Sequence, residues 1–211
     1  FGIGTTVVTW YGHDDLNNDG SCSFDVVVAE ADKFDISGIV IYYSTASTPL
    51  ANIPIELKQG GITKYNTTSG AGGSYSFTDI CPGVYDLVLA KNSPVGGINA
   101  TDAAQVNSWV ATPYEIEKVR FFAGDVAGNT LPAPANNYLS AYDASRIQAY
   151  FVYGGAYPFS RDKWVFWPAG DKISANPAPT PGTLYYSWNI TTDKIQNIYG
   201  MVTGDFNRSY V

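Results

Sequence analysis

The run Ile36-Ser37-Gly38-Ile39-Val40-Ile41-Tyr42-Tyr43 is followed by Gly73-Ser74-Tyr75-Ser76-Phe77-Thr78 and then by Gly83-Val84-Tyr85-Asp86-Leu87-Val88-Leu89. β-Branched and aromatic residues fill all three stretches, the composition that suits a pleated, half-buried surface. Two further strands are expected between them, over Ile53–Gln59 and Ile62–Thr67. Turn chemistry separates the five: Thr48-Pro49-Leu50-Ala51-Asn52, Gln59-Gly60-Gly61, Ser69-Gly70-Ala71-Gly72-Gly73 and Cys81-Pro82-Gly83. Short strands at this spacing predict a β-sandwich over residues 34–91.

On the N-terminal side, residues 1–33 predict a hairpin. Thr5 to Gly12 alternates across one strand, and Ser21 to Ala29 places Cys22, Phe24, Val26 and Val28 on one face of the next. The polar stretch from His13 to Gly20 turns between them. Asp15-Leu16-Asn17-Asn18-Asp19-Gly20 has the oxygen-donor order of half a calcium loop, but Val26 stands where a closing carboxylate belongs, so a hairpin tip is expected. A lone hairpin is marginally stable. The rest of this sheet is expected upstream of Phe1, which makes the chain a fragment of a longer, processed polypeptide.

On the C-terminal side the period changes. Ala103, Val106, Trp109 and Val110 share a helical face, as do Ala144, Ile147, Tyr150 and Phe151. Asn99-Ala100-Thr101-Asp102-Ala103-Ala104 aligns with Ser140-Ala141-Tyr142-Asp143-Ala144-Ser145 at an offset of 143 − 102 = 41 residues, an internal repeat spanning a helical unit over 92–154. The two apolar stripes are expected to pack on each other. A third helix is expected from Pro113 to Phe122. Residues 155–211 return to strands over Lys163–Phe166, Thr183–Thr191 and Tyr199–Thr203, as a β-rich extension.

Composition narrows the function classes. The 211 residues carry 12 Lys and Arg against 19 Asp and Glu, a formal charge of −7, which disfavours nucleic-acid partners because phosphate contacts need clustered cations. Charged residues are only 15% and aromatics another 15%, the opposite of a disordered chain. No apolar run is long enough for a membrane helix. One His and two Cys leave little material for a zinc or thiol centre, no Ser sits in a Gly-x-Ser-x-Gly elbow, and Glu115 and Glu117 are two apart, so no enzyme is expected. The aromatic set Trp164, Phe166, Trp167, Tyr185, Tyr186 and Trp188 reads as core, with a sugar-stacking platform as the alternative. The sequons at Asn66, Asn99 and Asn189 are short enough to arise by chance in an Asn- and Thr-rich chain.

The candidate site is a set of calcium-type loops. Asp125 and Asn129 open one behind Gly124, and Asp143 closes it. Ala127 stands where a ligand belongs. In the first repeat Lys91 falls on the opening position, leaving Asn99 and Asp102. Gly204-Asp205-Phe206-Asn207-Arg208-Ser209 repeats the donor order at Asp205 and Asn207, beside the second loop or as a separate site. Calcium is the expected ion, with Asp125, Asn129 and Asp143 its main holders; the alternative is that these aspartates cap helix N-termini.

Several stretches resemble known families. Gly4 to Trp10 with Ser21 to Val28 resembles the end of a hyalin-repeat, Ig-like adhesion domain. That resemblance implies an upstream disulfide partner for Cys22, with Cys81 as the alternative. Ile36 to Val40, Thr48 to Ile53, Gly73 to Phe77 and Pro82 to Tyr85 are similar to carboxypeptidase regulatory-like and SdrD B-like domains, prealbumin-type sandwiches used as stalk spacers. Related domains carry a Lys–Asn isopeptide; Ile39 and Ile41 stand in the first strand here with no Lys, so none is expected. Gly96 to Ala103 and Ala123 to Val126 with Asp143-Ala144 resemble a paired dockerin-type loop–helix unit. Gly204 to Val211 is similar to the closing motif of large surface proteins exported by the type IX pathway of Bacteroidetes. Together these imply a mainly β chain of Ig-like and prealbumin-like sandwiches plus a small dockerin-like module. They imply a non-catalytic stalk or adhesin segment of a secreted cell-surface protein, partnered by neighbouring domains of its own polypeptide and by other surface proteins or polysaccharide. The rival function is a carbohydrate-binding or docking module of an extracellular assembly.

Overall fold

The computed structural model describes residues 1–91, 94–127, 138–177 and 185–210. The chain is mainly β and divides into two compact units, Phe1–Lys33 and Phe34–Val211.

The first unit is a hairpin of β1 (Gly4–His13) and β2 (Asp19–Val28), paired antiparallel in unbroken register from Gly4 opposite Val28 to His13 opposite Asp19. Its tip is made by Asp14, whose Oδ1 accepts the main-chain N–H groups of Leu16 (2.9 Å) and Asn18 (2.8 Å). His13 bridges Asp19 (2.7 Å) and Asn17 (3.2 Å) through its two ring nitrogens. Asn17 adopts φ 68°, which Asn tolerates better than most residues. Residues 14–18 therefore form the hairpin tip, and Asp19 and Gly20 already pair as the start of β2. Register brings Val8 opposite Phe24 and Trp10 opposite Cys22, all on one apolar face.

The second unit is built around two sheets. β3 (Phe34–Tyr42), β4 (Pro54–Gln59), β5 (Ile62–Thr68), β6 (Ser74–Ile80) and β7 (Gly83–Leu89) lie close to the expected strands. α1 (Ala100–Ala111), β8 (Ile116–Glu117), α2 (Lys118–Gly124) and α3 (Ala141–Tyr153) follow, and then β9 (Trp164–Pro168), β10 (Lys172–Ile173), β11 (Tyr186–Ile190), β12 (Lys194–Ile195) and β13 (Ile198–Val202). One sheet has the order β11-β7-β4-β5. In the other, β3 pairs with β6 on one side and with β12 and β13 on the other, and β13 pairs with β9. Alternate residues of the strands point into a common core that includes Ile36, Val40, Ile55, Leu57, Phe77 and Leu87.

The strands of 155–211 are not an appendage. β11 extends the first sheet through Trp188 opposite Tyr85, and β13 enters the second sheet in parallel with β3, Ile198 opposite Val40. Trp188, Ile190, Ile198 and Met201 are buried in the same core as the strands of 34–91. Burial of these side chains is the physical reason that the segments 34–91, 92–154 and 155–211 lie in one compact unit.

The helix expected from Pro113 begins only at Lys118. Ile116 and Glu117 instead pair with Ile173 and Lys172, and the Tyr114 carbonyl accepts the indole N–H of Trp109 at 2.7 Å, which holds this segment extended. α1 and α3 pack together, with Ala103, Val106, Trp109, Ala144 and Ile147 buried as the two stripes predict. The fit is looser at the end of α3. Phe151 is half exposed, and Tyr150 stacks on Phe159 at 4.6 Å between centroids.

Candidate functional site

Two corners where a Gly-Asp turn meets a helix N-terminus hold four fully buried aspartates, Asp102, Asp125, Asp143 and Asp205. Asn99 and Ser140 occupy the N-cap positions of α1 and α3, both in extended conformation, and each helix has a capping box closed by an aspartate at its third residue. Asp102 Oδ2 accepts the Asn99 N–H at 2.7 Å, and Asp143 Oδ2 accepts the Ser140 N–H at 2.9 Å. The second oxygen of each reaches a turn. Asp102 Oδ1 accepts the N–H of Asn207 at 2.6 Å; Asp143 Oδ1 accepts the N–H of Ala127 at 3.0 Å. Asn207 and Ala127 each lie two residues after a Gly-Asp pair, Gly204-Asp205 and Gly124-Asp125. The two corners are thus built alike, the first from α1 and the chain's last turn, the second from α3 and the turn behind α2.

The glycines repeat the likeness. A Cβ on Gly124 would meet Phe206 at 2.7 Å and Leu139 at 3.1 Å; one on Gly204 would meet Phe159 at 2.7 Å and Ile98 at 3.3 Å. Leu139 and Ile98 are the residues just before the two N-caps. The turns also touch each other, since the Gly204 N–H donates to the Ala123 carbonyl at 2.7 Å. Arg120 of α2 ties them further, donating from Nε to the Phe206 carbonyl at 2.8 Å with its guanidinium over the Phe206 ring.

What faces each turn aspartate differs. Asp205 Oδ2 accepts the Tyr42 hydroxyl and the Tyr210 N–H (3.0 Å), and Oδ1 accepts the Ser209 N–H at 2.9 Å. Asp125 Oδ2 is ion-paired with Arg161 and accepts the Tyr138 N–H at 3.3 Å. Asp125 Oδ1 is buried without a hydrogen-bond partner. All four aspartates are fully buried. Burial pushes the Asp125 carboxyl up to about 7, the nearby Asp143 adding to the rise and Arg161 opposing it. Asp102 is pushed up to about 6 by burial, against the N–H groups of Asn207 and Asn99. Burial also raises Asp143, and it raises the Tyr42 hydroxyl, where the Asp205 charge adds to it.

The expected ligand set therefore separates. Asn99, Asp102, Asp205 and Asn207 meet in one corner, where Asn207 Nδ2 also donates to Asn99 Oδ1 at 3.2 Å. Asp125 and Asp143 meet in the other, and Asn129 lies outside the described residues. Calcium takes six to eight oxygen ligands. In the α1 corner both oxygens of Asp102 and both of Asp205 already accept N–H or O–H donors. In the α3 corner the one unengaged oxygen is Asp125 Oδ1, beside a guanidinium. Among the described residues no three His, Cys, Asp or Glu side chains gather as a metal-holding group. Among the described residues this donor set does not fit the ion.

Tyr42 and Arg161 carried no local signal in the sequence, because one sits in a core strand and the other in a polar loop. The paired Gly-Asp turns were visible there, but not which helix each would serve. Elsewhere, Trp164, Trp167 and Trp188 are 4%, 8% and 2% exposed, which removes them as a sugar platform. Cys22 and Cys81 are both exposed and not bonded to each other.

No family model matches the chain, and no curated protein matches it. Among solved structures, the major pilin subunit BcpA of Bacillus cereus overlaps 44% of this chain and 28% of its own, at 17% identity and a TM-score of 0.29. A single-substitution variant of that pilin overlaps 43% and 27%, at 16% identity and a TM-score of 0.30. The chain thus spans little more than a quarter of the pilin's length, an overlap too small to assign fold or function.

Proposed function

We propose that this chain is a non-catalytic, load-bearing segment of a secreted cell-surface protein, a stalk or adhesin spacer with neighbouring domains of the same polypeptide as its first partners. The observation that carries this reading is the pairing of the second unit's first and last strands. β3 and β13 are parallel neighbours, with Val40, Ile41 and Tyr42 opposite Ile198, Tyr199 and Gly200. Force applied through the two ends of such a unit pulls parallel adjacent strands in opposite directions. Their hydrogen bonds are then loaded together in shear, rather than opened one by one. Asp205 adds a lock just past β13, through Tyr42 at the end of β3.

Single-molecule pulling of residues 34–211 from both ends tests this. Attachment at the ends should give one unfolding event at distinctly higher force than attachment through the β4–β5 turn at Gly60, which peels β5 from its sheet edge. Equal, low forces in the two geometries would refute the load-bearing role.

A docking module is the second reading, and one observation favours it. An open groove between α1 and α3 is lined by Ala100, Ala104 and Asn107 on one helix and by Ala141, Ser145 and Gln148 on the other. Each pair is offset by the repeat's 41 residues (141 − 100, 145 − 104, 148 − 107). A docking partner would therefore meet two near-equivalent faces. Replacing Ala104 by Arg should abolish such an interaction without changing the unfolding force.

A further inference from the structure

The two corners are one device used twice, and its halves are interleaved along the chain. In the α3 corner the turn precedes its helix, Asp125 standing 18 residues before Asp143; in the α1 corner the turn comes 103 residues after Asp102, as Asp205 (143 − 125; 205 − 102). The first repeat, which opens on Lys91 and has no aspartate of its own to begin a loop, receives its missing half from the end of the chain. Each turn aspartate then has a partner donated from outside the repeat: Tyr42 from β3 for Asp205, Arg161 from the loop before β9 for Asp125.

We propose that Arg161 and Tyr42 take the place of a bound cation in these two corners, so that the paired loop–helix unit assembles on the protein's own donors and needs no calcium. Asp125 and Asp143 are buried carboxylates close enough that the Asp143 charge raises the cost of ionising Asp125, and such a pair needs a positive charge or a proton. The Arg161 guanidinium is fully buried against Asp125 and supplies that charge. In the other corner, among the described residues, no ion pair reaches Asp102 or Asp205, and none is needed: four carboxylate oxygens are met by the N–H groups of Asn99, Asn207, Ser209 and Tyr210 and by the Tyr42 hydroxyl. Hydrogen bonds from donors held by the fold stabilise a carboxylate as a cation would, without the cost of stripping an ion of its water. The inference does not depend on the load-bearing reading, because it concerns how the unit is held together.

The test is thermal unfolding of the full chain in millimolar calcium and in excess EDTA, with terbium luminescence as a direct probe of a calcium-type site. The wild-type midpoint should be the same in both, and terbium should show no saturable signal. Arg161→Lys, which keeps the charge, should remain indifferent to calcium. Arg161→Ala should lower the midpoint, and adding Asp125→Asn in that background should recover part of the loss, because no buried charge is then left unpaired. If Arg161→Ala does not fold, the wild-type and Arg161→Lys measurements decide alone. A wild-type midpoint that falls in EDTA, or saturable terbium binding, would overturn the proposal. So would a double variant that loses as much as the two single changes added together.

Discussion

The hairpin of residues 1–33 and the unit of residues 34–211 use the same alphabet and reach opposite results. Both have strands of alternating apolar and polar residues. In β6, Tyr75 and Phe77 alternate with serines and are buried; in β1 and β2, Trp10 and Phe24 occupy the same kind of position and are 68% and 48% exposed. The difference lies in what covers the face. β3 and β6 have a second sheet, completed by strands from the far end of the chain, whereas β1 and β2 pair only with each other. A period of two marks which side of a strand is apolar. It does not supply the opposing layer, and burial comes from that layer.

The sharpest way to break this contrast is to remove side chains on each side of it. Phe206→Ala should destabilise the second unit by about 3–5 kcal/mol, since the ring is fully buried and fills the space over Gly124. Chemical denaturation of the variant measures this. Trp109→Ala should cost a similar amount, about 3–5 kcal/mol for the lost ring, and also leaves the Tyr114 carbonyl without its donor. Accelerated amide exchange in α1 and α3, with β4 and β7 protected, would place the damage at the helices.

An intermediate effect is expected from pH. Asp102, Asp125 and Asp143 all have carboxyl groups raised by burial above the ordinary 3.8, Asp102 to about 6 and Asp125 to about 7. The folded state therefore binds more protons than the unfolded state between these limits. Their contribution is fully present below about pH 4 and is lost as pH rises through 6 and 7. The melting midpoint of residues 34–211 should fall from pH 5 to pH 8. A midpoint that rises over that range would mean that the N–H donors and Arg161 outweigh burial.

The smallest effect belongs to the hairpin. Trp10→Ala and Phe24→Ala should each change the midpoint of the main transition by less than about 0.5 kcal/mol, as exposed substitutions generally do. A loss as large as that of Phe206→Ala would show that the hairpin's apolar face is covered after all.

The candidate site was legible in part. Asn99 with Asp102 and Ser140 with Asp143 stood out as equivalent because the 41-residue offset aligns two helix starts, and capping is chemistry local to four residues. The strands of 34–91 were legible for the same reason: pattern and turn residues act over short distances. The sequence also marked Trp109 as core, because its stripe repeats at helical spacing.

Tertiary structure alone decided the rest. Nothing near residue 205 indicates that its turn serves α1 rather than the nearer α3, because the choice depends on where β13 enters the sheet beside β3. The same insertion places Tyr42 on Asp205, and the approach to β9 places Arg161 on Asp125. Oxygen donors in the order of a calcium loop fix only which groups can accept. Whether a cation, a guanidinium or a row of N–H groups meets them is settled by what the fold brings alongside, since charge and hydrogen bonding act through space and not along the chain.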